Sequence, residues 1–505
     1  MPDRPDLGTP TPLWQVDAAP PALPPLTGDL TADVIVVGAG ITGLTTALLL
    51  HEAGTDVAVV EARTVADGVT GRSTGHLTEL VDVGYRTIRK DFGDEGAATV
   101  ARVTRGAIQE VRRVASQYGI ECGLRAMPAY LYADTADDEA GARTVRDEAD
   151  AAEAAGLRVE RLERAPLPFA TGPALAVQDQ TVFDPYAYTV GVARVLAAAG
   201  VPIHEGVRVQ GIEPGEQVTL TTENGQTLRA RRVVLATHTP LGFNPLQTVV
   251  FPYRSYVLAV DPGGPPPEGM FFDTNTPYHY TRPADDGLLV VGGADHKTGQ
   301  GGADAAPYEE VLDYVRARYP GATVRYRWSS EVFDAADGLP SIGPSPFQAG
   351  VLVATGYSGD GLLWGTAAAR ILAALARDEE HPDAGLFSPA RFKPLAAGPS
   401  FLKENLDVAF HFAADRLATD AESVEAVPAG GGALVLVEGR HLAVHRTDDG
   451  AVHAFSPVCT HLRCVVRWNG ADRTWDCPCH GARFDAATGA PLSGPAMHGL
   501  SPEEV

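Results

Sequence analysis

At 505 residues, with 45% apolar and 21% charged residues, the chain is an ordinary globular protein too long for one compact core, so two or three domains are expected. A formal charge of −24 repels phosphates and argues against nucleic acid or an anionic membrane as partner; it suits a cationic small molecule, although an acidic surplus is more often a solvated surface. No apolar run approaches the ~20 residues that span a bilayer. The opening MPDRPDLGTPTPLWQVDAAPPALPPL has no basic or apolar leader segment, so a cytoplasmic protein is expected.

The first 29 residues are predicted to form a proline-rich arm lying over the surface. The stretch ADVIVVGAGITGLTTALLLHEAGTDVAVVEAR, 32–63, then passes from strand to glycine turn to helix to strand. Val34, Ile35, Val36 and Val37 form the continuous apolar run of a parallel strand covered on both faces. Gly38, Gly40 and Gly43 match G-x-G-x-x-G: a tight turn, a close backbone approach to a pyrophosphate, and close helix–strand packing. Glu61, at the end of the second strand, stands where a carboxylate would hold a ribose hydroxyl. This predicts a dinucleotide site without separating FAD from NAD.

Further on, residues 96–119 read as an amphipathic helix, and 253–260, 278–283 and 287–299 as strands. Gly356, Gly359 and Gly361 free the backbone to approach a ligand ahead of a helix expected from about Leu362, whose N-terminus would favour negative charge. Residues 392–425 read as a helical connection. Beyond it, ALVLVEG, HLAVHR and AVHAFS alternate or run apolar between turns, as in a small β-sandwich. Cys459-x-His461 and, after 15 intervening residues, Cys477-x-x-His480 place two thiols and two imidazoles on two loops, a set that spacing alone leaves open to zinc or to an iron–sulfur cluster. The helical carboxylate–histidine pattern of a mononuclear iron oxygenase does not occur, and His441 and His445 lie in a strand.

Three stretches resemble the D-amino-acid-oxidase-like (glycine/sarcosine oxidase) flavoenzymes: VTGRSTGHLTE at 69–79, RRVVLATHTP at 231–240, and RWSSEVFDAADGLPSIGP with VLVATGYSGDGLLWGTAAAR across 327–370. The resemblance implies an α/β, Rossmann-like FAD-binding domain interleaved with an α+β antiparallel-sheet substrate domain over residues 30–391. FAD-binding segments are expected near 30–80, 180–250 and 340–385, and substrate-domain segments at 81–179 and 251–339. It implies FAD contacts from Arg63, Arg72, Ser73, Thr74, His76, Ala236, Thr237, Asp360 and Leu362 beside the glycines already named. Amines and amino acids become the expected substrates. Arg282, in a Y-x-R-P-like strand, is the expected carboxylate-holding cation, with Tyr253 and His296 as further catalytic candidates and Arg254, Tyr280 and Lys297 behind them. Two departures stand out. Leu363 occupies the place where sarcosine-oxidase-like members carry a lysine, and His76 lies near where some relatives attach FAD covalently.

CTHLRC (459–464), CPCHGARF (477–484) and SGPA (493–496) resemble the three loops of a Rieske domain, placing an all-β domain at 426–505. By that resemblance Cys459 and Cys477 hold one iron of a [2Fe–2S] cluster and His461 and His480 the other, while Cys464 and Cys479 form a disulfide. Cys122 is left as a core thiol. The expected chemistry is oxidation of an amine by FAD, with single electrons passing through the cluster to an acceptor protein or small carrier. An oxidase that reduces oxygen directly, and an electron-transfer or redox-sensing flavoprotein, are the alternatives.

Overall fold

The computed structural model describes residues 7–16, 18–21, 23–301, 305–391, 393–414 and 419–505. The first six residues of the expected arm, and residues 392 and 415–418 of the expected connection, lie outside them.

The apolar run at the front becomes Leu30–Val37, flanked in parallel by Val57–Val60 on one side and Thr227–Leu235 on the other. Val351–Thr355 extends the parallel order past Thr227–Leu235, and Ile203–His204 closes the other end. Helices Ile41–Glu52, Pro185–Ala198 and Gly361–Ala376 cover this eight-stranded sheet, which is why its central strands tolerate no polar alternation.

A nine-stranded, mainly antiparallel sheet forms the second layer system. Its spine runs Thr323–Ala335, Val250–Asp261, Leu289–Lys297, Tyr280–Pro283, Met270–Asp273, Arg125–Tyr132 and Ala174–Val182, with the two-residue strand His76–Leu77 at the edge. The helix expected over 96–119 runs from Tyr85 to Tyr118, interrupted at Gly93, where φ is +76°. Val100, Val103, Ala107, Val111 and Val114 form its buried stripe, at the three- and four-residue spacing that packs a helix on a core.

The arm is not merely superficial. Leu7 is buried, Thr9 bridges to Tyr326, and Trp14 Nε1 donates to the Ser73 carbonyl at 2.8 Å. Two large apolar side chains in the segment have more to gain from this groove than from water.

At the C-terminal end, strands Gly432–Val437, Arg440–Arg446 and Val452–Phe455 form one small sheet. Arg467–Asn469, Thr474–Asp476, Arg483–Asp485 and Pro491–Ser493 form another. Leu434, Phe455, Trp468, Trp475 and Phe484 fill their core. Helix Pro394–Ala414 links the two halves of the chain and is pinned by Lys297 Nζ, 2.6 Å from Glu404 and 2.5 Å from Asp407. No described helix is long and apolar enough to cross a membrane.

The small domain docks against the nine-stranded sheet. Asp472 pairs with Arg254 at 2.6 Å and with Arg483 at 3.1 Å, and accepts a hydrogen bond from Ser329 Oγ at 2.7 Å. Two further hydrogen bonds reach the loop after Pro491: Arg63 Nη1 donates to the Leu492 carbonyl at 2.8 Å, and the Gly242 amide to the Pro495 carbonyl at 2.9 Å.

Candidate active site and metal centre

An elongated cleft of about 1470 Å³, including its mouth, opens at the carboxyl ends of the parallel strands. Gly38, Gly40, Glu61, Arg63, Ser73, Ala236, Thr237, Gly359, Gly361 and Leu362 line it, as does His238. The glycines are dictated by distance. A Cβ at Gly38, whose φ is +108°, would meet the Ala236 carbonyl oxygen at 2.5 Å, and one at Gly43 would sit 1.9 Å from the Gly38 oxygen. Glu61 turns at the strand end so that Oε2 accepts the Ala39 amide at 2.8 Å and Oε1 the Arg63 amide at 2.9 Å. Burial raises its carboxyl above the usual range while those two amides pull it back. A glycine-lined cleft with a carboxylate at one end and the start of helix Gly361–Ala376 at the other fits an extended dinucleotide.

At that second end the cleft meets a smaller cavity, whose free space counted together with its open mouth is about 620 Å³. Ser73, Ser330, Val332, Gly359 and Leu362 line both spaces, so they mark the join. Arg72, Thr74, His76 and Asp360 belong to the cavity wall rather than to the cleft, while Gly356 and Gly43 line neither. His76 accepts or donates at Nδ1 with Thr74 Oγ1, 2.9 Å away, and its enclosed Nε2 has no hydrogen-bond partner among the described residues. Burial, helped by the charge of Arg282, holds the His76 ring well below its usual pKa and therefore neutral.

The residues expected to do the chemistry lie elsewhere. The Arg282 guanidinium is spent on the backbone: it donates to the carbonyls of Thr74, Pro283 (3.3 Å) and Phe183 (3.2 Å) and packs over the Trp14 ring at 4.8 Å. Tyr253 donates to Glu404 at 3.1 Å, on the helical connection. His296 stacks on Tyr256 with ring centroids 5.2 Å apart. None of the three lines the cavity, and the contacts of Arg282 are those of a tie between strand and loop. Of the secondary candidates, Tyr280 lines the cavity, hydrogen-bonded to Ser255 at 2.9 Å, whereas Arg254 and Lys297 serve the domain contacts above. Leu363 is buried in its helix.

Reasoning from the chain alone missed Asp82, Asp295 and Tyr278, which complete the wall. Asp82 accepts the Gly359 amide at 2.7 Å and the Tyr278 hydroxyl at 3.1 Å, and its own amide donates to Asp360 at 2.8 Å. Burial raises both carboxyls, and Asp82 pushes Asp360 further up. Asp295 is pushed up to about 7 by burial, with Ser255 easing it back. For Asp295 the available signal was an acidic residue directly after the apolar run LVVGGA.

In the small domain, Cys464 and Cys479 are joined by a disulfide, whereas Cys459 and Cys477 are free and buried. These two thiols share a hydrogen bond that lowers Cys459 and raises Cys477. The rings of His461 and His480 stand 5.0 Å apart at 89°, and both His461 nitrogens and His480 Nδ1 lack hydrogen-bond partners among the described residues. Buried thiols beside orphaned imidazole nitrogens are a metal-binding donor set. Among the described residues, donors gathered within 4.8 Å of one another belong to Cys464, Cys477 and Cys479, two of which are consumed by the disulfide. The Cys459, His461, Cys477 and His480 donors are two thiols and two imidazoles, the set that a two-iron cluster takes. Cys122 is a core thiol, pushed up to about 11 by burial.

The family model described as FAD dependent oxidoreductase matches residues 33–375, and that of the Rieske [2Fe-2S] domain matches residues 419–502. The chain belongs to this FAD-dependent oxidoreductase family and ends in a Rieske domain. It is 31% identical over 497 residues, 97% of each chain, to a Bacillus subtilis (strain 168) protein named as a Rieske 2Fe-2S iron-sulfur protein, YhfW. Gamma-glutamylputrescine oxidoreductase of Escherichia coli (strain K12) is 26% identical over 381 residues, 71% of this chain and 87% of its own. The crystal structure of glycine oxidase from Geobacillus kaustophilus shares the fold with a TM-score of 0.62 at 21% identity, over 72% of this chain and 99% of its own. The oxidoreductase thus carries two redox groups, FAD and a [2Fe–2S] cluster.

Proposed function

We propose that the protein oxidises a small amine or amino-acid-type molecule and passes the electrons from the flavin through the Rieske cluster to an external one-electron acceptor. One observation carries this reading: the third loop of the Rieske domain is part of the wall of the dinucleotide cleft, through Leu492, Ser493, Ala496 and Met497. The Rieske domain thus contributes to the wall of the cleft, held there by Arg63 and Gly242, which supports transfer within one molecule. When bound, FAD supplies the conversion between a substrate's electron pair and the single electrons an iron–sulfur centre carries. Gamma-glutamylputrescine and glycine, the compounds in the names of two relatives, are both amines, which supports the substrate class.

The protein's own contribution is placement and exclusion of water. The cavity holds the reacting carbon at the join framed by Ser73, Gly359 and Leu362. Neutral His76, in the tautomer whose Nδ1–H donates to Thr74, offers Nε2 as acceptor for a hydrogen of the substrate nitrogen. Anaerobic stopped-flow mixing with a panel of amines tests the proposal. Bleaching of the flavin followed by bleaching of the cluster is expected. Flavin reduction that air reverses at once, with the cluster still oxidised, overturns it in favour of an oxidase.

A further inference from the structure

The titratable groups of the cavity wall are one-sided. Asp82, Asp295 and Asp360 face it, and Asp334 stands behind, close enough for Asp82 to raise its carboxyl. The one basic side chain in the wall besides neutral His76, among the described residues, is Arg72. The charges that act on its guanidinium are Asp67, Arg483, Asp472 and Arg63, which lie towards the domain interface rather than the cavity. Arg282, the other nearby cation, is occupied by carbonyl groups. Asp82 and Asp360 are satisfied by amides and a phenol, with no cation to compensate them.

A second observation shows that the wall expects an occupant. Asp295 Oδ1 and His76 Nε2 are fully enclosed and have no hydrogen-bond partner among the described residues. An enclosed acceptor with nothing to accept is costly, about 1–3 kcal/mol for an ordinary group, and persists where a ligand supplies the donor. Ionised Asp295 is an acceptor, and so is His76 Nε2 in the tautomer that keeps its proton on Nδ1, so an N–H donor would satisfy both. Phe272, Tyr278 and Tyr280 add aromatic faces suited to a methylene stem and an ammonium.

We infer that this cavity is built for a substrate with at least two amine nitrogens and no carboxylate, the class of aliphatic diamines and longer polyamines. A nitrogen whose C–N bond is to be oxidised must be unprotonated, whereas this wall stabilises ammonium. One nitrogen cannot satisfy both demands; two can. An α-amino acid would bring a carboxylate among four others, with Arg72 as the one cation lining the cavity among the described residues. Occupation by an ammonium also relieves the strain that keeps Asp295 and Asp334 protonated up to about 7. The inference rests on reading the cavity as the substrate pocket proposed above.

Isothermal titration of the oxidised holoprotein with diaminobutane, butylamine and γ-aminobutanoate reads the selectivity without any turnover. Diaminobutane is expected to bind at least ~30-fold more tightly than butylamine, and γ-aminobutanoate more weakly than either. Asp295→Asn and Asp82→Asn should each weaken diaminobutane by ~10-fold or more while moving butylamine less than ~3-fold. Unchanged flavin absorbance and cluster EPR certify that each variant is folded, and either variant alone suffices. Equal affinity for the three compounds, tighter binding of γ-aminobutanoate, or variants that bind diaminobutane normally overturns the inference. Anaerobic mixing with the same compounds reads the oxidation separately. Tight, aspartate-dependent diaminobutane binding without flavin bleaching upholds this inference and sinks the proposed oxidation.

Discussion

Asp472 of the Rieske domain lies 2.6 Å from the guanidinium of Arg254 in the nine-stranded sheet, and that guanidinium is 1% exposed. The pair is one of the charged contacts across the domain junction; Arg483 and Ser329 add contacts to Asp472, while Arg254 Nε and Nη1 have no hydrogen-bond partner among the described residues. Removing the carboxylate takes away the ion-pair partner of a buried guanidinium, which typically costs about 3–5 kcal/mol. Asp472→Ala is therefore expected to lower denaturant stability by that amount and to expose the 393–414 connection to protease. A loss under ~1 kcal/mol would show that the junction does not depend on this pair.

The same carboxylate makes the junction acid-sensitive. Burial pushes its pKa up, but Arg254 and Arg483 outweigh it and hold Asp472 at about 2. A depressed folded pKa stabilises above the unfolded value, and the contribution disappears as the pH falls from about 4 to about 2. Rieske-domain undocking, followed by small-angle scattering, should begin only below about pH 4.

Asp295, Asp334 and Glu331 behave in the opposite sense. Burial holds each at about 7, so the folded state keeps protons that the unfolded chain releases near pH 4. Stability of the ligand-free protein should therefore fall as the pH rises from about 4 to about 7, by up to ~1.4 kcal/mol per pH unit for each group. Asp334→Asn, which cannot ionise, should flatten the calorimetric profile across that window. A profile that rises with pH contradicts these placements.

Cys464 and Cys479 close a loop with a sequence separation of 15. A loop of that size contributes about 3 kcal/mol in the chain-entropy account. Replacing both with serine should lower stability by that order yet leave a Rieske EPR signal in the reduced protein. Cys459→Ser or His480→Ala should abolish the signal, because these donors are proposed to touch iron. Survival of the signal in either variant would reassign the ligands.

Gly43→Ala tests the cleft. Its new methyl would fall 1.9 Å from the Gly38 oxygen, a backbone atom that cannot yield without reshaping the turn. The variant should purify without flavin, as read from its visible absorbance. Full flavin occupancy would mean that the turn can open.

The elements that repeat locally were legible in the chain. Val34–Val37 announces a buried parallel strand by having no polar alternation, and the Gly38 and Gly43 positions announce a turn that a Cβ would block. The paired cysteines and histidines carry their chemistry in their residue types. The cavity was illegible for an equally physical reason. Asp82, Asp295 and Asp360 come from three distant segments, brought together by pairings such as Tyr253 with Lys297 and Tyr280 with Gly292 that no local period reveals. A strand arginine beside a proline reads as a ligand-facing cation, and the carbonyls that Arg282 meets belong to distant residues such as 74 and 183, which no local pattern shows. Trp14 lay in a segment whose proline content pointed to the surface, and its destination is set by Ser73 and Arg282.

The loop from Pro491 to Met497 closes one side of the dinucleotide cleft, tied there by Arg63 and Gly242. Entry of the nucleotide is therefore expected to precede docking of the small domain, which would then retain it. Flavin exchange becomes a measure of how often the two halves part, so a variant that loosens the junction should leak cofactor long before it unfolds.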